Sequence, residues 1–202
     1  FWLLGSLSGR SMEHVALALP FMAVGWALLA SVARGLDALT LGEDETYLEP
    51  TTMAENRDIA LAMARQARRY LYVFTGDLDP ALYDSAEFAE ALSALARSSE
   101  RAHVHILVQD STRASKDGHR VVELAQRLSS KVRIHRPSRQ YADLRETFLV
   151  ADELGYLYRT VADRYEAQAS FRDRKRAREL TRHFKEVWQR SEPDPHLRRL
   201  SL

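Results

Sequence analysis

The sequence has no cysteine. That excludes disulfide staples, thiolate nucleophiles and cysteine-ligated zinc, and it suits a reducing compartment. Lysine is scarce too: only 4 of the 29 basic residues are lysine, leaving 25 arginines. A guanidinium keeps its charge and grips carboxylate or phosphate with two donors, so this composition invites phosphate recognition alongside plain compositional bias. Charge of one sign is also missing. With 29 basic and 28 acidic residues the net charge is +1, and no global field drives the chain toward nucleic acid or an anionic membrane. Nucleic acid is therefore not expected as a partner. Neither a glycine-rich phosphate loop nor a Gly-x-Ser-x-Gly elbow occurs, which removes two common nucleotide and hydrolase signatures. The chain opens on Phe1 rather than Met, as expected of a fragment, a processed product or a truncated reading frame.

What is present divides the chain in two. From Val15 to Ala33 there are 19 residues without a charge, bracketed by His14 and Arg34. A bilayer core needs roughly 20 apolar residues of helix, and Pro20 and Gly25 are tolerated in such spans. A transmembrane helix over about 15–33 is expected, with a buried helix of a globular core as the alternative. Arg10 precedes the span and Arg34 follows it, so flanking charge leaves its orientation open. After Leu41 the text turns acidic and polar, "GEDETYLEPTTMAENRD". It has no apolar period, which predicts a linker over 45–51.

Beyond that point helical and strand patterns alternate. Thr52 or Glu55 opens a helix through Arg69, and "YLYVFTGD" (70–77) reads as a buried strand. Ser85 caps a helix with Phe88, Leu92 and Leu95 on one face. "AHVHILVQD" (102–110) is a strand, "RVVELAQRLSS" (120–130) a helix and "KVRIHR" (131–136) a strand. "TFLVAD" and "YLYRT" pair as a hairpin, a third strand is expected around 167–171, and a last helix runs from Asp173 to about Arg190. Strands separated by helices predict a mainly parallel sheet covered on both faces, and the late hairpin makes it mixed. The domain is thus expected over 52–192, followed by a tail over 193–202.

Each part resembles a known family. In residues 1–44, "FWLLGSL", the apolar helix and "LDALTLGED" resemble part of an iron-siderophore FecCD-type ABC transporter permease. That resemblance implies a remaining permease subunit as partner and an inner-membrane location, with the α/β domain facing the cytoplasm. If residues 1–44 are foreign to the protein, a cytoplasmic location is expected instead. The family's docking helix does not follow Asp44, so transport by this chain alone is not expected. In residues 52–202, "YLYVFTGDLDP", "LARSSERAHVHILVQD" and "FKEVWQRS" resemble one half of a phospholipase D-like domain, particularly that of an uncharacterised bacterial family within that superfamily. Such halves pair around a cleft, which implies a homodimer.

The chemistry of that superfamily needs His-x-Lys-x4-Asp: an attacking imidazole, an amine on the phosphate oxygens and a tuning acid. "TFLVADELG" places Asp152 at the acid, Thr147 at the lysine and Arg145 at the histidine. Nucleophile and amine are both replaced, so no catalytic residue is assigned. Arg145 and Arg159 flank the hairpin, and with Thr147 and Asp152 they form a candidate phosphate-holding set. The alternative is that these arginines pair with Glu146, Asp152 or Asp163. His183-Phe184-Lys185 matches His-x-Lys by chance, since residues two apart on a helix diverge. His103 and His105 share a strand face without an assignable third ligand, so no metal and no cofactor is expected. Arg174, Arg178 and Arg182 recur as a basic stripe, either for phosphates or simply solvated. The expected function is a non-catalytic module for phosphate-ligand or partner recognition. Membrane transport, and a phosphodiesterase or phosphotransfer enzyme with an atypical nucleophile, are the alternatives.

Overall fold

The computed structural model describes residues 35–36 and 38–197. The chain divides after Ala38, and the unit that begins at Leu39 holds every strand described below. The spanning helix expected over 15–33 lies outside the described residues. Among the described residues no helix is long and apolar enough to cross a membrane.

The α/β unit begins with a short strand β1 (Tyr47–Leu48) and helix α1 (Met53–Gln66). Thr52 and Glu55 form a reciprocal capping box that fixes the start of α1. Strand β2 (Tyr70–Thr75) follows, then α2 (Pro80–Tyr83), α3 (Ala86–Ser98) and β3 (His103–Val108). After α4 (Thr112–Asp117) and α5 (Arg120–Arg127) comes β4 (Val132–Pro137), with a 3-10 turn over Arg139–Tyr141. The hairpin β5 (Thr147–Ala151) and β6 (Gly155–Arg159), strand β7 (Gln168–Ser170), helix α6 (Arg174–Gln189) and strand β8 (Ser191–Pro193) complete the unit.

One eight-stranded sheet runs β1-β7-β6-β5-β2-β3-β4-β8. Strands β2, β3 and β4 are parallel, as helical crossovers require. β5 lies antiparallel to β2, and the remaining pairs are antiparallel. The expected mixed sheet flanked by helices is therefore present, but it is not mainly parallel as expected: only β2–β3 and β3–β4 pair in parallel, because the hairpin and the short edge strands add antiparallel pairs. Alternation in β2 sends Tyr72 and Phe74 to one face, where they pack with Phe148, Val150, Leu180, Phe184 and Val187 under α6. Leu71 and Val73 face the layer of α1 and α3, where Met63, Phe88 and Leu92 are fully buried.

Three expectations about boundaries change. Residues 45–51, expected as a linker, contain β1, which pairs with β7. The strap just before it is also bound: Gly42 N–H donates to the Phe171 carbonyl at 2.8 Å. The Gln66 side chain donates to the Leu39 carbonyl and accepts from the Leu41 amide. Polar composition hid this segment because its stabilisation comes from backbone pairing. The helix expected to reach Arg69 stops at Gln66. At the other end, Pro193 is still in β8 and Asp194 is 2% exposed, so the tail begins later than 193.

The strap closes against Gly155. A Cβ there would lie 2.7 Å from Leu41 Cδ1 and 2.8 Å from the Ser170 carbonyl. Gly155→Ala should therefore cost about 1–3 kcal/mol through overpacking and lower the melting temperature by about 2–10 °C. Thermal unfolding checks this; an unchanged melting temperature would mean that the strap is not held in this groove.

Candidate functional site

The β5–β6 hairpin positions the residues singled out from the sequence. Its tight turn has Asp152 and Glu153 in left-handed conformation, φ 56° and 57°. The Leu154 amide closes back on the Ala151 carbonyl at 2.9 Å, the arrangement of a type I′ turn. Non-glycine residues rarely adopt this conformation, and Asp is among those that tolerate it. The Asp152 carboxylate compensates by accepting from the Arg68, Arg69 and Tyr70 amides at 2.7, 2.9 and 2.8 Å. These are the donors left open where α1 gives way to β2. Asp152 therefore acts as a backbone clamp.

The candidate set is split by this geometry. Asp152 lies at the turn, whereas Thr147 and Arg159 face each other across the hairpin base. Five residues of strand put roughly 16 Å between the two ends. Asp152 is consequently not part of a site with the other three.

Arg159 and Thr147 are brought together. Arg159 is 2% exposed. Its Nε donates to Thr147 Oγ1 at 2.9 Å and its Nη1 to the Ala162 and Arg164 carbonyls at 3.2 and 3.5 Å. All three acceptors are neutral, and Arg159 forms no ion pair among the described residues. A buried guanidinium without a direct ion pair is costly, although the Asp79 and Asp77 carboxylates act on the same Tyr165 as Arg159 does, and Nη2 remains outside these bonds. Neither Glu146, Asp152 nor Asp163 pairs with it. Tyr165 stacks over it, with Cζ 5.6 Å from the ring centroid, and the Tyr165 hydroxyl donates to Asp79 Oδ2 at 3.3 Å. Arg145 is exposed beside this cluster, its carbonyl accepting from the Ala162 amide at 2.9 Å. Sequence reading missed Asp79 and Tyr165, because 86 residues separate them and no local pattern links them.

The opposite face of the same hairpin base carries a second polar cluster. Glu146 Oε1 lies 2.9 Å from His183 Nε2, an ion-pair distance, although the imidazole N–H points off a hydrogen-bond line. Glu146 Oε2 accepts from the Tyr158 hydroxyl at 3.0 Å. The Glu146 carboxylate raises the His183 imidazole above its usual 6.5, against a smaller effect of burial. His183 in turn holds Glu146 below its usual 4.5, with Tyr158 assisting. His183 and Lys185 do diverge, as expected on a helix: Lys185 points instead to Glu153 at 3.4 Å.

Arg174, Arg178 and Arg182 all lie exposed on α6. Arg178 reaches Glu153 at 3.9 Å, so the stripe is partly neutralised by the hairpin turn. His103 and His105 share a face and are engaged elsewhere. His103 contacts the Tyr72 hydroxyl at 3.1 Å, and His105 stacks on Trp188 at 4.2 Å. Burial, with the neighbouring His103 and Arg133, pushes the His105 imidazole down to about 3.

Asp152→Ala removes a carboxylate from three amides and should cost about 3 kcal/mol in denaturant unfolding; a loss below about 0.5 kcal/mol would remove its clamping role. The Glu146–His183 pair has a definite pH signature. A raised His183 contributes stability that is complete below pH 6.5 and is lost as pH rises through its folded value. A lowered Glu146 contributes stability present above pH 4.5 and lost on further acidification. The stability difference between the natural chain and Glu146→Gln should therefore peak between these values, at about 1 kcal/mol, and shrink toward pH 9. A pH-independent difference would contradict the pairing.

Residues 52–200 match the family model described as domain of unknown function (DUF7931), and residues 1–47 match the FecCD transport family. Comparison with curated proteins gives no match. Among solved structures, TrmBL2, an archaeal chromatin protein, aligns with TM-score 0.57 at 14% identity, over 90% of this chain and 66% of that one. Nuc from Salmonella typhimurium, a phospholipase D family member, aligns with TM-score 0.51 at 13% identity, over 74% of this chain and 97% of its own. NucT from Helicobacter pylori gives TM-score 0.48 at 7% identity, over 74% of this chain and 100% of that one. At such identities the likeness concerns the fold alone. The chain belongs to the DUF7931 family, whose domain fills residues 52–200 and is built here on a phospholipase D-like fold.

Proposed function

We propose that this chain is a non-catalytic phospholipase D-like module that recognises a phosphate-bearing ligand at the base of the β5–β6 hairpin. The observation that carries this reading is Arg159, a buried guanidinium with only neutral partners beside Thr147. A directly bonded anion is the group such a cation lacks. Exposed Arg145 adds a second guanidinium at the same edge. Non-catalysis is supported by the residues in the resembled motif: neither Arg145 nor Thr147 supplies a nitrogen nucleophile, and the Asp152 carboxylate serves backbone amides. The FecCD match of residues 1–47 supports tethering of the module to a membrane, beside a remaining permease subunit and on its cytoplasmic side. A homodimer of two half-domains belongs to the same proposal.

A second reading, an enzyme with an atypical nucleophile, is favoured by one observation. His183 is half-buried with Nε2 at 2.9 Å from Glu146 Oε1, which sets an imidazole beside a carboxylate.

Calorimetric titration of the full chain with inorganic phosphate and p-nitrophenyl phosphate tests the first reading. Arg145→Ala should weaken binding about fivefold without moving the melting temperature, and Arg159→Lys should weaken it further. Affinity unchanged in both variants would sink the proposal. No turnover of bis-p-nitrophenyl phosphate is expected; turnover abolished by His183→Ala would install the second reading in its place.

A further inference from the structure

The carboxyl ends of β3 and β4 border a cavity of about 580 Å³, within the range of small-molecule sites. It is separate from the hairpin base, which lies at the ends of β5 and β6. Strand spacing of about 4.8 Å puts β4 roughly 14 Å from β5. Gln109, Arg136, Ser138, Arg139 and Glu192 are among the side chains that line it.

Three features of this lining suggest a specific kind of occupant. Arg136 and Arg139 are both exposed, and neither has an ion-pair partner among the described residues. Between them, Ser138 Oγ is buried from solvent without a hydrogen-bond partner, an arrangement that costs free energy unless a ligand completes it. The wall is also rigid: the Gln109 amide nitrogen donates to the Tyr141 and Leu144 carbonyls, pinning the connection between β4 and β5. Its amide oxygen is left as an acceptor.

The carboxylates of the cavity narrow the choice. Glu192 stands opposite Arg136 across the β4–β8 pair, and Asp110, which accepts from the Thr112 amide, borders the same space. Two carboxylates disfavour a second phosphate by like-charge repulsion, yet they accept hydrogen bonds from hydroxyl groups. We propose that this cavity binds a phosphate monoester of a polyol, of the sugar-phosphate class. Arg136 and Arg139 hold the phosphate, joined by the Ser138 hydroxyl once it rotates out of its buried position, while Glu192 and the Gln109 oxygen receive hydroxyls. The proposal adds a site to the phosphate recognition described above and does not depend on the hairpin base.

Calorimetric titration of the full chain with ribose 5-phosphate and with inorganic phosphate tests it. Ribose 5-phosphate is expected to bind saturably and about tenfold tighter than inorganic phosphate. Arg136→Ala with Arg139→Ala should abolish that binding. Ser138→Ala should weaken it about threefold with an unchanged or higher melting temperature, because the lost hydroxyl has no partner in the free protein. Arg145→Ala should leave it intact. Ribose 5-phosphate binding that survives the double arginine variant, or an absence of saturable binding, overturns the proposal. Equal affinity for the two probes overturns the polyol assignment. If inorganic phosphate alone binds and only Arg145→Ala weakens it, the cavity proposal falls while the hairpin-base reading stands.

Discussion

The Asp152 carboxylate holds the turn of one hairpin against the entry to the first long strand, and much of the architecture depends on that clamp. Three backbone amides, those of Arg68, Arg69 and Tyr70, emerge from the end of α1 with no helical or ladder acceptor. Left dry and unpaired, each would oppose folding. Asp152 satisfies all three, and the Tyr70 carbonyl accepts the Asp152 amide in return. That exchange sets β5 beside β2 in the register that pairs Phe74 with Phe148. A slip of one residue would turn every aromatic of that face outward.

Register then decides what lies under α6. Phe184 stacks on Tyr72 at 4.7 Å, and Trp188 stacks on His105 and His135 at 4.2 and 4.0 Å. These contacts tie the last helix to all three parallel strands, and the edge-on contact of Phe184 with Phe148 ties it to the hairpin. The imidazoles of β3 and β4 are thereby aromatic packing groups, consistent with the lowered basicity of His105 and His135. Their alternation along the strand, which suggested a shared face, is genuine. Its consequence is stacking.

Opposite the clamp, the hairpin base presents one polar cluster to each face of the sheet. Thr147 and Arg159 point one way, and Glu146, Tyr158 and His183 the other, because neighbouring strand residues alternate. The residues of this stretch are thereby divided: Asp152 clamps the far end, Thr147 is bound by Arg159, and Arg145 is exposed. Both clusters sit at the edge where β2, β3 and β4 end, the edge that also carries the separate cavity bordered by Arg136 and Arg139. The arginine-rich composition is thus partly spent on a single rim of the fold, with the α6 stripe elsewhere.

The sequence by itself determined most element types and the mixing of parallel and antiparallel pairs, because these depend on local periodicity, caps and turn chemistry. Thr52 with Glu55 announces α1, the apolar run 70–75 announces a buried strand, and "TFLVADELGYLYR" announces a hairpin. Only the tertiary structure decided which charges meet. Glu146 and His183 are 37 residues apart, and Asp79 and Tyr165 are 86 apart; no local pattern couples such pairs. The same holds for the strap at 39–48, whose polar text conceals backbone hydrogen bonds to Phe171 and β7. Backbone pairing carries no side-chain signature, and long-range ion pairs carry no period. Both become legible only when the sheet brings distant segments to one edge.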